Sequence, residues 1–183
     1  IIGEFAGGSG NITDAADGVV LIGGGAGRYL TTGAGNLAIG YSSMKVHTTG
    51  HSNIAIGYGA MDDTDAGSTS SDSDHNLAIG VNAMGGTWAN AKSENNIAIG
   101  NNTMDGALNT AHYNMALGHY VLTNLTEGNS NIGIGWAAAE NITTGNDNII
   151  IGKQAGDAIT TKSGVIAIGS GAAGAITSTG DYT

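Results

Sequence analysis

The sequence predicts an all-β fold of the solenoid kind, a β-roll or β-helix with a coil of about 17 residues wound about ten times. Three observations predict it. A glycine closes a short apolar run at Gly3, Gly23, Gly40, Gly57, Gly80, Gly100, Gly118, Gly135, Gly152 and Gly169, with separations of 20, 17, 17, 23, 20, 18, 17, 17 and 17. A base period with insertions at a few places is what stacked coils produce, because extra residues must bulge out at a turn. Four residues before that glycine stands Asn in seven successive copies: Asn36, Asn53, Asn76, Asn96, Asn114, Asn131 and Asn148. Finally, 33 glycines, no proline and one phenylalanine leave few large side chains for a rounded interior, while the 40% apolar fraction comes in runs of about four residues that suit a narrow core.

Each element of the repeat follows in order. The asparagines, stacked coil on coil, predict a hydrogen-bonded amide ladder; Val19 and Val165 replace Asn near the two ends. Next comes a three-residue strand, as in Leu37-Ala38-Ile39 or Ile54-Ala55-Ile56. Strand side chains alternate, so the outer aliphatic pair is expected to fill the coil and the small middle residue to face a second backbone on the other side. Leu21 and Ile150 depart from the small middle residue. The closing glycine predicts a positive φ or a close approach at a corner. A second short strand is expected beyond it, marked by a small residue three on (Ser43, Ala60, Ala83, Ala138, Ala155, Ala172) and an aliphatic four on (Met44, Met61, Met84, Met104, Leu122). Toward the C-terminus a further aliphatic stands seven on, at Leu125, Ile142, Ile159 and Ile176. Residues 1–183 read as a single repeat domain with loop insertions near 62–75 and 85–95, and ten markers at about 4.8 Å per coil give a rod of about 45–50 Å.

The Asn-x-Ala-Ile-Gly unit resembles the head-domain repeats of trimeric autotransporter adhesins, and longer versions are similar to β-solenoid repeats of phage tail fibres. The resemblance runs from about Val19 to Gly169. It implies a β-roll, a trimer about a common axis, and a surface-displayed fibre that contacts a host receptor or glycan. The period of 17 departs from the shorter adhesin repeat.

Charge and composition narrow the partners. Fifteen acidic residues against five Lys and Arg give a net charge of −10, which argues against nucleic acid or an anionic membrane as partner, since both require basic patches. There are no cysteines, hence no disulfides or thiolate metal sites, and no apolar run long enough for a membrane helix. An opening Ile1 reads as a processed or excised chain. Gly169 is followed by 14 residues and Gly3 is the third, so copies joined end to end would keep the 17-residue period. Ile1, Ile2, Tyr182 and Thr183 are therefore candidate assembly residues in head-to-tail stacking; an array cut at a repeat boundary gives the same arithmetic.

Chemical candidates are few. "VVLIGGGAG" at 19–27 imitates a dinucleotide loop but runs into the next coil instead of a helix, so no cofactor is expected. Asp62, Asp63, Asp65, Asp72 and Asp74 in the largest insertion form a weak Ca²⁺ candidate, set against a simple solvated excursion. His47, His51, His75, His112 and His119 read as sharing no repeat position, which argues against a zinc column. Glu4, Glu94, Glu127 and Glu140 offer no paired carboxylates and no triad stands out, so an enzyme is not expected. Tyr41, Tyr58, His119 and Trp136, each just after a marker glycine, can form an aromatic strip for sugar rings or for structural stacking. Sequons begin at Asn11, Asn101, Asn124 and Asn141 and can carry glycans in a secreted chain. The resulting expectation is a non-enzymatic structural subunit of an extracellular or virion-surface fibre, stacking head to tail. A trimeric adhesin or tail-fibre segment is the alternative, with its insertions on a receptor. An ice-binding solenoid is the third, weakened because insertions interrupt any flat threonine array.

Overall fold

A computed structural model describes residues 1–8, 12–13, 16–64, 72–88 and 91–175. Nine three-residue strands follow one another: β1 Val20–Ile22, β2 Leu37–Ile39, β3 Ile54–Ile56, β4 Leu77–Ile79, β5 Ile97–Ile99, β6 Met115–Leu117, β7 Ile132–Ile134, β8 Ile149–Ile151 and β9 Ile166–Ile168. All lie in one parallel sheet in chain order, with like positions paired, as Ile54 with Leu77 and Ala55 with Ala78. There is no α-helix among the described residues. Parallel pairing of consecutive strands in unbroken order requires the chain to return to the same edge once per repeat, and that is a β-solenoid. The tenth marker, Gly3, brings no full strand; Ile2 makes a single parallel bridge to Ile22.

The direction in which each strand residue points is the reverse of the expectation from sequence. Every strand buries its middle residue and leaves the outer two partly or largely exposed. Ala38, Ala55, Ala78, Ala98 and Ala116 are fully buried, whereas Ile54 is 37% and Leu117 45% exposed. The reason is volume. Six residues after each buried alanine comes a buried Met44, Met61, Met84 or Met104, or Leu122, and these long side chains fill the coil from the opposite wall. Where the middle residue is large, its partner shrinks. A β-carbon on Gly27 would lie 2.7 Å from the Leu21 side chain, and one on Gly156 would lie 3.0 Å from Ile150. A narrow interior holds one large side chain per level at these positions, so a pair of isoleucines has no room inside.

The second short strand does not form. Residues two and four beyond the corner glycine take left-handed backbone, as at Ser42 (φ 56°) and Met44 (φ 50°) or Asn82 (φ 52°) and Met84 (φ 53°), and alternating left-handed residues cannot pleat. Coil-to-coil bonding continues nonetheless, through Met44 N–H to Ala60 O (2.9 Å) and Met61 N–H to Ala83 O (3.0 Å). The far wall is closed by Leu30, Trp88, Leu108, Leu125, Ile142 and Ile159, all fully buried; Ile176 lies outside the described residues. At the same wall His47 and Thr64 form a buried polar pair, Nδ1 to Oγ1 at 2.9 Å, with His47 Nε2 also 3.1 Å from Gly50 O.

Candidate functional site

The asparagines form the ladder. The Oδ1 of each accepts the backbone N–H and the side-chain Nδ2 of the asparagine in the next coil; for Asn114 the distances to Asn131 are 2.9 and 3.0 Å. Each Nδ2 also donates to a carbonyl, as Asn114 to Gly128 O (2.8 Å) and Asn131 to Gly145 O (2.8 Å). All seven amides are buried, and Val165 ends the run by giving its N–H to Asn148 Oδ1 at 2.8 Å. Reciprocal bonding of this kind satisfies polar groups that would otherwise be stranded in the core.

A second ladder, two residues upstream, was not foreseen. In two runs, from Ala34 to Asp74 and from Glu94 to Asn146, the side chain of one coil accepts the N–H of the coil before it: Ala34 N–H to His51 Nδ1 (3.0 Å), His51 N–H to Asp74 Oδ1 (2.6 Å), Glu94 N–H to His112 Nδ1 (3.2 Å), His112 N–H to Asn129 Oδ1 (2.7 Å), and Asn129 N–H to Asn146 Oδ1 (2.8 Å). It runs opposite to the asparagine ladder. His51 and His112 thus do share a repeat position, contrary to the sequence-based expectation, and serve there as acceptors. The column escapes a search for repeated letters because His, Asp and Asn have only an acceptor at similar reach in common.

The outer sheet face carries two parallel columns of aliphatics, one from each flanking strand position, with Val20, Ile54, Met115, Leu117, Ile166 and Ile168 the most exposed. Just past the corner, Tyr41, Tyr58, Val81 and Trp136 are exposed as well. Tyr41 and Tyr58 stack at 5.5 Å between centroids, and Lys153 Nζ stands 5.5 Å over the Trp136 ring. The aromatic strip therefore consists of two short stretches, broken at Val81 and Asn101.

Five residues after the corner glycine a column of charge runs along the rod: Arg28, Lys45, Asp62, then Gly85, then Asp105. Burial, and then the Asp62 carboxylate, push the Asp105 carboxyl up to about 6, against a bond from the Gly85 backbone. Burial and Asp63 likewise raise Asp62, while Lys45 opposes them. Of the weak Ca²⁺ candidates, Asp65 lies outside the described residues; Asp63 accepts the Thr87 hydroxyl, and Asp74 serves the second ladder and sits 3.7 Å from Lys92. Among the described residues no group of three acidic or imidazole ligands is brought together.

The remaining expectations distribute as follows. Ile1 and Ile2 are exposed, with Ile2 N–H bonded to Leu21 O (2.8 Å); Tyr182 and Thr183 lie outside the described residues, as does Asn11. Asn101 and Asn124 are exposed; Asn124 Nδ2 bonds Asn141 Oδ1 at 3.2 Å. The glycine-rich 19–27 stretch is β1 and the following corner. Hydroxyls of Thr31, Thr126 and Thr143 are spent on carbonyls of the next coil, at 3.0 to 3.2 Å. No protein-family model, curated protein or solved structure matches the chain.

Proposed function

We propose that the chain is a non-enzymatic structural segment of an extracellular or surface fibre, and that copies of it associate side by side through the outer sheet face. One observation carries the reading: an all-parallel sheet whose outer face is aliphatic in two continuous columns. Parallel sheets are found almost only with both faces covered. Eight spacings of about 4.8 Å make the stripe about 38 Å long, and two aliphatics with their side chains make it about 12 Å wide, so it covers about 450 Å² in projection. That is the size of the largest patch on a typical soluble monomer, about 300–600 Å², which is often a functional surface. With Tyr41, Tyr58, Val81 and Trp136 beside it, the patch approaches the ~800 Å² each partner gives to a stable interface. The occupant is a second copy, because only another rod of the same pitch matches a 38 Å comb of side chains along its full length; the adhesin resemblance supports three copies about one axis. Net charge of −10 keeps such rods soluble and leaves the uncharged stripe as the surface of least mutual repulsion.

Sedimentation equilibrium tests it. A discrete oligomer that becomes monomeric in an Ile97→Lys/Ile99→Lys variant supports the reading, and a wild-type chain that stays monomeric at all concentrations removes it. Head-to-tail stacking is the second reading, favoured by the place of β9 at the edge of the sheet among the described residues and by Ile2, which already pairs with the strand after it. It gives polymers that lengthen with concentration and is indifferent to the lysine pair.

A further inference from the structure

The column one residue past each corner glycine carries a side chain at Glu4, Tyr41, Tyr58 and Val81, but Gly24 interrupts it, and Gly25 follows. The two missing side chains open a cavity of about 190 Å³ between the first partial coil and the coil of Tyr41, lined by Phe5, Arg28, Tyr41, Ser42, Lys45 and Glu4 around the two glycines. The Tyr41 ring leans over the gap, close enough that a β-carbon on Gly24 would lie 3.2 Å from it. Phe5 and Tyr41 belong to coils two steps apart, about 9.6 Å along the axis, which leaves a slot one ring thick. Both rings are more than half exposed.

The charge of the slot is local and opposite to that of the protein. Arg28, the sole arginine, and Lys45 are two of the five basic residues in a chain of net charge −10, and both line this cavity. The guanidinium is held over the Phe5 and Tyr29 rings at 5.2 and 5.4 Å. Glu4 lines the same slot and supplies carboxyl oxygens as hydrogen-bond acceptors. A ring acid with hydroxyls answers all of this: its carboxylate to the two cations, its C–H face to an aromatic ring, its hydroxyls to Glu4 and Ser42.

We infer that this slot binds one carboxylated pyranose, such as a uronic acid residue of an acidic polysaccharide. The inference goes beyond the structural role proposed above, and it does not depend on how copies assemble. Saturation-transfer NMR on the full chain with methyl β-D-glucuronide, methyl β-D-glucoside and benzoate tests it, with the sedimentation of the same samples recorded separately. Transfer to the glucuronide with millimolar affinity is expected, and at least about tenfold weaker transfer to the other two, each of which lacks one half of the match. Arg28→Gln and Tyr41→Ala each weaken the glucuronide about fivefold or more, and Gly24→Tyr, which fills the slot without removing a charge, abolishes it, whereas Trp136→Ala changes nothing. No transfer to the glucuronide overturns the inference. Equal transfer to the uncharged glycoside or to benzoate, or binding that survives both Arg28→Gln and Gly24→Tyr, overturns it as well.

Discussion

Replacing Asn114 by alanine cuts the amide ladder at its middle, and the cost can be counted from its bonds. Asn114 Oδ1 is the acceptor for Asn131 N–H at 2.9 Å and for Asn131 Nδ2 at 3.0 Å, and Asn114 Nδ2 supplies Gly128 O at 2.8 Å. Alanine leaves the buried Asn131 N–H with no acceptor, and Gly128 O loses the donor at 2.8 Å. Asn131 Nδ2 keeps its other bond, to Gly145 O. Each buried orphan costs about 1–3 kcal/mol, so the two together cost about 2–6 kcal/mol. That is a large share of the ~5–15 kcal/mol by which domains are stable. Since each coil contacts only its neighbours, the damage is concentrated at one interface and divides the rod into two shorter arrays, which broadens the unfolding transition.

Urea titration followed by far-ultraviolet circular dichroism at fixed protein concentration measures it. Asn148→Ala, at the last rung, orphans the buried Val165 N–H and takes a donor from Lys162 O, which is only partly buried, and is expected to cost about 1–3 kcal/mol. Asn124→Ala, on the surface, should lie within about 0.5 kcal/mol of wild type. Joint replacement of Asn114 and Asn131 should cost less than the sum, because the bond from Asn131 Nδ2 to Asn114 Oδ1 is lost in each single variant but only once in the pair. The reasoning is refuted if Asn114→Ala is as mild as Asn124→Ala, or if the paired replacement is strictly additive.

Core volume gives a second expectation: Ile150→Ala costs about 2–5 kcal/mol by urea titration, whereas Ala55→Ile overpacks by about 1–3 kcal/mol and is relieved when Met61→Gly empties the facing space. Two corner glycines separate backbone strain from collision. Gly100 (φ +134°) would drive a β-carbon into Gly118 O, while Gly169 (φ +121°) meets nothing within 4 Å among the described residues, so Gly169→Ala costs about 1–3 kcal/mol and Gly100→Ala enough to prevent accumulation of soluble protein. Finally, Asp105 binds its proton more tightly folded than unfolded, so the native chain holds more protons between pH 3.8 and about 6, and this group's contribution makes stability rise as pH falls through that window. Asp105→Asn flattens that slope and stabilises the chain at pH 7 by on the order of 1 kcal/mol, allowing for solvent screening of a half-exposed group; an unchanged slope in denaturant midpoints against pH refutes it.

The spacing of glycines, the asparagine column and the three-residue strands were legible because each is a repeated letter at a repeated distance, and stacking in register turns such repetition directly into pairing. The second ladder was hidden by chemistry that is shared across unlike letters. His51, Asp74, His112 and Asn129 have one acceptor atom in common, and only the backbone N–H of the preceding coil shows that this is what the position requires. The missing second strand was obscured for a different reason. Methionine and serine carry no signature of left-handed backbone, yet Ser42 and Met44 adopt it, so packing of the long side chain into the coil overrides the local preference.

The reversal of the strand faces has the widest consequence. Alternation in a strand establishes that Ile54 and Ile56 share one side and Ala55 the other, but it carries no sign, and hydrophobicity alone assigns the larger pair to the interior. The sign lies in a correlation between positions six apart: alanine goes with methionine at Ala38 and Met44, leucine and isoleucine with glycine at Leu21 and Gly27 and at Ile150 and Gly156. Only residues that compete for one volume trade size in this way, and so the middle residue is the buried one. Once it is inside, the isoleucines are outside, in a parallel sheet that has spent its whole interior on one large side chain per coil at these positions. Such a rod leaves an aliphatic face on its surface, and this is the physical ground for the proposal that copies of it associate.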